Sequence, residues 1–229
     1  KCAIVSTNES NKFSVITKVE VIPTGRRMYV LLMITSAGNI KNRVCRLSFD
    51  LTEEQMGEIF KTLQTLEHMS ELNRSLLLLS KIDNRQYLDT IPVDMASLIN
   101  QTQSEYRRMA IERKVKVTIE EDARLGWTMN PTLAKVLVHN LYRNALVHNL
   151  TEGDGELHIY IGTREISFTN TGTPVPLDRE HIFDRFYKEG GREGSSGLGL
   201  AIVKAICNTS GLMVGYDFVE GRHRFVVFF

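Results

Sequence analysis

Apolar positions change their period along the chain, and each change marks a different kind of element. Residues 1–36 are rich in β-formers: Phe13-Ser-Val-Ile-Thr-Lys-Val-Glu-Val-Ile22, then Pro23-Thr-Gly25, then Met28–Thr35. Two such runs about a Pro/Gly turn signal predict a hairpin; no chemistry is visible in it. From Ile40 to Asp83 the period becomes helical. Met56, Ile59, Leu63, Leu66, Met69, Leu72, Leu76 and Leu79 recur at three- and four-residue steps, which predicts an amphipathic helix with a coiled-coil-like seam. Thr52, ahead of Glu53-Glu54, is its candidate N-cap. A shorter partner helix is expected over residues 40–47. A seam this long needs a partner surface, either its own domain or a second copy, and the helix-like neighbour favours a helical bundle.

Downstream, Pro92 and Asp94 open a helix over residues 95–113, and Val115-Lys-Val-Thr-Ile119 alternates like a half-buried strand. Asn130-Pro131 reads as a helix start, Asn as cap and Pro at the first position. That helix runs to about residue 148. Strands over 157–161 and 165–169 join at Gly162-Thr163. A glycine-rich loop leads into a helix over 198–210, and 213–219 pairs with 224–229 around Glu220-Gly221. Helices and strands alternate, but hairpins outnumber crossovers. The expected fold is therefore a two-layer α/β sandwich with a mixed sheet rather than a doubly wound parallel one.

The length of 229 residues suits one full domain plus a smaller appendage. With 28 basic against 27 acidic residues the net charge is +1, so no basic excess points to nucleic acid. A small anion stays possible, because a few backbone N–H groups can hold a phosphate. Cys2, Cys45 and Cys207 are odd in number and far apart. They fit neither zinc nor a disulfide framework and read as buried or idle thiols in a reducing compartment. The longest apolar run, Tyr29-Val-Leu-Leu-Met-Ile34, falls far short of the roughly 18 residues of a membrane span. With no signal peptide visible, the chain is expected to be soluble.

Three patterns carry chemistry. Gly194, Gly197 and Gly199 precede the apolar helix Leu200-Ala-Ile-Val203. Glycine lets backbone N–H groups approach a ligand closely, and the helix behind adds its N-terminal partial charge, so phosphate is the natural guest. Asn140, Asn144 and His148 stand at i, i+4 and i+8 and so share one helix face. An asparagine carbonyl is a hard oxygen ligand suited to Mg²⁺; a solvated polar face is the plain alternative. Third, Ile166-Ser-Phe-Thr-Asn170-Thr-Gly172 ends a strand in a polar residue and a glycine turn, and Ile182-Phe-Asp-Arg-Phe-Tyr-Lys188 follows. Asn170 offers both donor and acceptor, as reading an adenine edge requires.

In this order the motifs resemble those of sensor histidine kinases. Asn140-x-x-x-Asn144-Ala resembles their asparagine box, Asn170-Thr-Gly172 the first glycine box, 182–188 the phenylalanine box, and Gly197-Leu-Gly-Leu-Ala-Ile-Val-Lys204 the second glycine box. The resemblance covers about residues 85–229 and extends upstream through Leu72–Asp83, which looks like the end of a second dimerisation helix. It implies a Bergerat-type ATP-binding fold, Mg-ATP as substrate and phosphorylation of a histidine on dimerisation helices. Carried over by position, Asn144 would hold Mg²⁺, Asn140 would lie beside the phosphates, His148 would flank the nucleotide and Asn170 would read adenine. Gly172 belongs to the adenine-side box. Lys188 and the Gly197-Leu198-Gly199 backbone would face the phosphates from a lid over about 177–196. The expected domains are a β-rich segment (1–38), a helical dimerisation segment (39–84) and a catalytic ATP-binding domain (85–229). The implied partners are a second copy through 39–84 and a response-regulator receiver domain. The parent protein is expected in the bacterial inner membrane, with this part in the cytoplasm.

The pattern departs in places. Asn170 stands where the family usually has Asp, Pro174 where it has a second glycine, and Val147 where it has Lys or Arg. The place of the phosphoacceptor motif reads Ile34-Thr-Ser-Ala-Gly-Asn39, without histidine; either this is a catalytic domain without its acceptor or, the favoured reading, residues are missing where a β-like segment meets a helix. His68 lies off the seam, and its context Glu67-His-Met-Ser does not match. His68, His139, His181 and His223 read as surface histidines, His158 as a strand residue. Two rival readings remain. A chaperone- or mismatch-repair-type ATPase would place a Glu base where this chain has Asn140. A degenerate module would bind nucleotide, or only dimerise, without kinase activity.

Overall fold

The computed structural model describes residues 16–35, 40–150, 153, 155–188 and 196–229. Contacts divide the chain into two compact units, Lys1–Glu71 and Leu72–Phe229.

In the first unit β1 (Ile16–Gly25), β2 (Met28–Thr35) and β3 (Ile40–Arg46) form an antiparallel sheet in that order. The hairpin turn lies at Arg26-Arg27 rather than at Pro23, which is accommodated inside edge strand β1. Residues 13–15 of the expected strand lie outside the described residues. The expected helix over 40–47 is wrong: Ile40–Arg46 is β3. Seven residues are too few for a helix that lacks packing, whereas register with β2 from Ile34↔Ile40 to Met28↔Arg46 satisfies their backbone groups. The helical segment expected over 39–84 thus contains only α1 (Glu53–Asp83). The inference of missing residues loses its premise, since no helix begins at Ile40; Ser36–Asn39 lie outside the described residues. Thr52 does cap α1. Its Oγ1 accepts from Gln55 N–H at 3.2 Å and Gln55 Oε1 accepts from Thr52 N–H at 3.1 Å, a reciprocal capping box. Along the seam Leu79 and Ile82 are buried, while Leu66, Met69, Leu76 and Leu77 are exposed.

The second unit contains β4 (Ile91–Asp94), α2 (Met95–Glu112), β5 (Val115–Glu121), β6 (Gly126–Met129), α3 (Pro131–Val147), β7 (Gly155–Ile161), β8 (Glu165–Asn170), α4 (Gly199–Ser210), β9 (Met213–Val219) and β10 (Arg222–Phe228). Its main sheet runs β5-β7-β8-β10-β9. Only β5–β7 is parallel, so it is the mixed-sheet α/β sandwich anticipated above. The small sheet β4–β6 went unforeseen, its strands being four residues each. Strand alternation sorts the layers. Leu157, Ile159 and Ile161 of β7, Ile166 and Phe168 of β8, and Phe225 and Val227 of β10 are buried in one core with Leu133, Leu137 and Leu141 of α3 and Ile202, Val203 and Ile206 of α4. The opposite sheet face carries ion pairs such as Arg222–Glu156 (2.7 Å) and Arg224–Glu165 (3.0 Å).

Both ends of α3 are fixed by asparagines. At the start, Asn130 Oδ1 accepts from Thr132 and Leu133 N–H, and Nδ2 donates to Asp89 O at 2.9 Å. Beyond the end, buried Asn149 donates to Ala145 O (3.1 Å) and Glu156 O (2.9 Å) and accepts from Leu150 N–H (2.9 Å) and Thr171 Oγ1 (2.6 Å). A side chain on Gly155 would come within 2.7 Å of that amide. Asn149 therefore ties α3 to β7 and to the turn after β8. Asn149→Ala, which strands several buried groups, is expected to cost about 2–4 kcal/mol. The check is the midpoint of denaturant unfolding at unchanged slope. A shift worth under about 0.5 kcal/mol would place the anchor elsewhere.

Candidate functional site

Because α3 presses its leucines on the sheet, its other face is committed to a single direction. Asn140, Arg143, Asn144, Val147 and His148 fall on that face and line a cavity of about 510 Å³. Opposite them stand Ile182, Tyr187 and Lys188, then Ser196, Gly197, Gly199 and Leu200 at the start of α4; Asn170, Thr173, His223 and Phe225 close the inner end. Of the residues singled out in the sequence, Asn140, Asn144, His148, Asn170, Lys188, Gly197 and Gly199 come together here. Gly172 and Leu198 do not line it. Gly172 lies behind the wall, where a Cβ would sit 2.8 Å from His223 Cδ2 and 3.0 Å from His148 O. The Leu198 side chain is fully buried in the core.

The glycines at the start of α4 permit backbone contact. Gly197 has φ 67°, and a Cβ there would lie 2.8 Å from the Phe186 carbonyl carbon. Phe186 N–H donates to Gly197 O at 2.9 Å, and Phe186 itself takes φ 66°, so the clip holds a bulky residue in a conformation it disfavours. Asn140 uses its Nδ2 on Val136 O at 2.8 Å, while its Oδ1 lies 3.2 Å from where a Gly199 side chain would begin. α4 starts without a side-chain cap bond. Its first N–H groups therefore reach the cavity with the helix partial positive charge behind them. One flank is anchored outside the cavity: Arg185 bonds Asp83, the last residue of α1, at 2.8 Å. Residues 189–195 of the expected lid lie outside the described residues.

At the inner end Asn170 is 2% exposed. Its Nδ2 donates to Thr171 O at 2.8 Å, and its Oδ1 is buried with no hydrogen-bond partner. Flipping the amide would set its oxygen against the Thr171 carbonyl oxygen, so the network assigns the orientation. A sealed acceptor without a donor costs roughly 1–3 kcal/mol, and the residue that carries it lines a ligand-sized space.

Beside it stands His223, the direct partner of Asn170 across β8–β10. Its expected surface position is wrong: the residue is 4% exposed. Its Nε2 lies 2.9 Å from Thr173 O, which only accepts, so Nε2 carries the proton. Nδ1, 2.9 Å from Tyr216 Oη, then accepts from the phenol, and Tyr216 Oη in turn accepts from Leu177 N–H at 2.9 Å. The chain pins the turn after β8 to the sheet. The alternation His223, Phe225, Val227 along β10 held the signal that His223 faces the core. His139, also expected at the surface, is half-buried between α2 and α3, 3.0 Å from Glu105 Oε2, and burial holds its pKa below the ordinary value. His158 lies in β7 as expected, beside Glu120. Exposed His181 is raised by its hydrogen bond to Asp184.

The site's chemistry is that of binding. Buried Cys207, its thiol pushed up to about 12 by burial, is inert packing. Among the described residues no cluster of three or more His, Cys, Asp or Glu could hold a metal ion. A metal here would rely on an amide oxygen such as that of Asn144 and on oxygens brought by the ligand.

The family described as histidine kinase-, DNA gyrase B-, and HSP90-like ATPase matches residues 129–228, from the residue before the Asn130 cap to the end of β10. The HrcA protein C-terminal domain also matches, over residues 1–167. That match stops inside β8 and omits α4, β9 and β10; the ATPase match encloses every cavity-lining residue and four of the sheet's five strands, leaving out β5. The chain is 31% identical over 158 residues to the heme sensor protein HssS of Staphylococcus saprophyticus, covering 67% of this chain and 34% of that protein. It thus spans about a third of the length of the curated relatives it matches. Among solved structures, the Acinetobacter baumannii histidine kinase AdeS shares the fold at TM-score 0.57 and 16% identity, over 78% of this chain and 85% of that one. Full-length ShkA in complex with AMPPNP does so at TM-score 0.59 and 22% identity, over 78% and 39%.

Tyr216→Phe leaves Leu177 N–H and His223 Nδ1 without their shared partner. It is expected to lower unfolding stability by about 1–3 kcal/mol, read from denaturant unfolding. An unchanged midpoint would mean that the chain of bonds does not hold the turn.

Proposed function

We propose that this chain, whose residues 129–228 match the family described as histidine kinase-, DNA gyrase B-, and HSP90-like ATPase, is the catalytic core of a two-component sensor histidine kinase. In this reading it binds Mg-ATP and transfers the γ-phosphate to a histidine on dimerisation helices, for relay to the receiver domain of a response regulator. The observation that carries the reading is that Asn170 lines the cavity with its Oδ1 buried and unpartnered. An acceptor sealed there suits the exocyclic amine of adenine, and the uncapped start of α4 suits the phosphates.

Each residue then has a task. Asn170 Oδ1 accepts from the adenine amine, with Gly172 leaving room for the His223 ring that braces the wall. Lys188 and the backbone from Gly197 through Leu198 to Gly199 face the phosphates. Asn144 offers its amide oxygen to Mg²⁺, Asn140 lies beside the phosphates, and His148 flanks the nucleotide. Bound Mg²⁺ would neutralise phosphate charge; the protein's part is to position the nucleotide and exclude water. The phosphoacceptor is not His68 in this reading, since His68 does not stand in the expected motif.

The exposed apolar side chains of α1 support a homodimer. Leu66, Met69 and Leu77 are 56%, 60% and 55% exposed, and burying one such side chain is worth roughly 1.5–3 kcal/mol. Among the described residues no helix is long and apolar enough to cross a membrane. A cytoplasmic place for this part, below an inner-membrane anchor in a longer parent protein, belongs to the proposal.

Titration calorimetry with a non-hydrolysable ATP analogue is expected to show micromolar-to-millimolar binding that needs Mg²⁺, and Asn144→Ala to remove the metal dependence. No heat at millimolar nucleotide would sink the assignment; unchanged Mg²⁺ dependence in the variant would move the metal elsewhere. Sedimentation is expected to show a dimer, and a monomer at high micromolar concentration would refute that role for α1. With γ-labelled ATP the chain is expected to take up almost no label. Strong labelling lost on His68→Gln would identify the acceptor as His68 after all.

A further inference from the structure

We infer that Arg143 is a polyphosphate-binding residue of this cavity, a second cation presented to the ligand by α3. The inference rests on the proposed nucleotide reading and adds the charge partner that its triphosphate needs. The cavity-lining positions on α3 are 140, 143, 144, 147 and 148, a single helical stripe at i, i+3, i+4, i+7 and i+8. Arg143 stands at its centre, next to Asn144 and within a turn of Asn140 and Val147. Its neighbours Tyr142 and Ala145 are buried while Arg143 is exposed, so the helix is seated with this residue at the cavity rim.

Among the described residues Lys188 is the other Lys or Arg lining the cavity, which Gly197, Gly199 and Leu200 at the start of α4 also line. An anion drawn to that helix terminus is met from α3 by a guanidinium, whose planar fork can bond two phosphate oxygens at once. A residue on a packed helix loses little further freedom on binding. The ordinary alternative is that Arg143 only complements the C-terminal end of α3. That role would act on folding and leave phosphate discrimination untouched.

The test compares AMPPNP with Mg²⁺, ADP with Mg²⁺, and adenosine as ligands of the full chain by calorimetry, for the wild type and for Arg143→Ala, Arg143→Lys and Arg143→Ala combined with Val147→Lys. Charged hydrogen bonds imply a loss of about tenfold or more in AMPPNP affinity for Arg143→Ala, with adenosine binding unchanged. Arg143→Lys is expected to fall between. Val147→Lys, one turn along the same stripe, is expected to recover part of the loss. AMPPNP affinity within twofold of wild type in Arg143→Ala, or an equal loss for adenosine, overturns the inference while leaving nucleotide binding intact. A wild-type chain that binds no nucleotide overturns both.

Discussion

α3 lies with Leu133, Leu137, Leu141 and Ala145 pressed into the core, and that burial fixes where the rest of the helix points. At roughly 1.5–3 kcal/mol for each buried leucine, no rotation of the helix about its axis is tolerated. Rotation would bring Asn140, Asn144 and His148 into an apolar interior, at a cost of a few kcal/mol for each unsatisfied amide. Asn130 holds one end and Asn149 the other. The cavity is therefore a consequence of packing: the polar stripe of α3 has only one place to face, and the start of α4 and the turn after β8 close around it.

The inner end shows how the protein tolerates an unfavourable group in exchange for recognition. Asn170 Oδ1 is sealed from water without a donor, and the surrounding bonds prevent it from turning away. Thr171 O holds the amide nitrogen, while His223, locked by Tyr216 and Thr173, blocks relaxation of the turn. A neutral amide is less demanding to bury than a carboxylate would be, and its orientation is set by a backbone carbonyl instead of by charge. In the proposed reading such stored cost is recovered when a ligand donor arrives, which would make the site selective for ligands that carry one there.

Local signals were legible in the sequence because caps and turns act over a few residues. The Thr52 cap of α1, the Asn130-Pro131 start of α3 and the β7–β8 and β9–β10 hairpins all appear where alternation, caps and turn residues indicate them, whereas the apolar seam of α1 is buried only toward its C-terminal end. Ile40–Arg46 was misread because a lone apolar position every four residues fits helix and edge strand equally; pairing with β2, a non-local fact, decided it. Glycine spacing exposed the cavity-lining loop before α4, and the Asn140-Asn144-His148 stripe the cavity wall. Gly172 and Leu198 marked the right segments but face away from the space. His223, Tyr216 and Thr173 stayed hidden because they meet only through strand register and turn geometry. Arg143 was unremarked because an exposed arginine on a helix ordinarily needs no explanation.

The most direct measurement sets ATP against inosine triphosphate, which has an oxo group where adenine has its amine. Both carry the same phosphates, so the ratio of their affinities isolates the contact with Asn170. If Asn170 Oδ1 awaits a donor, ATP binds about tenfold or more tighter, since an acceptor facing an acceptor forfeits roughly 1–3 kcal/mol, and Asn170→Leu flattens the ratio. Equal affinities in the wild-type chain would contradict the assignment of Asn170 as the reader of the base.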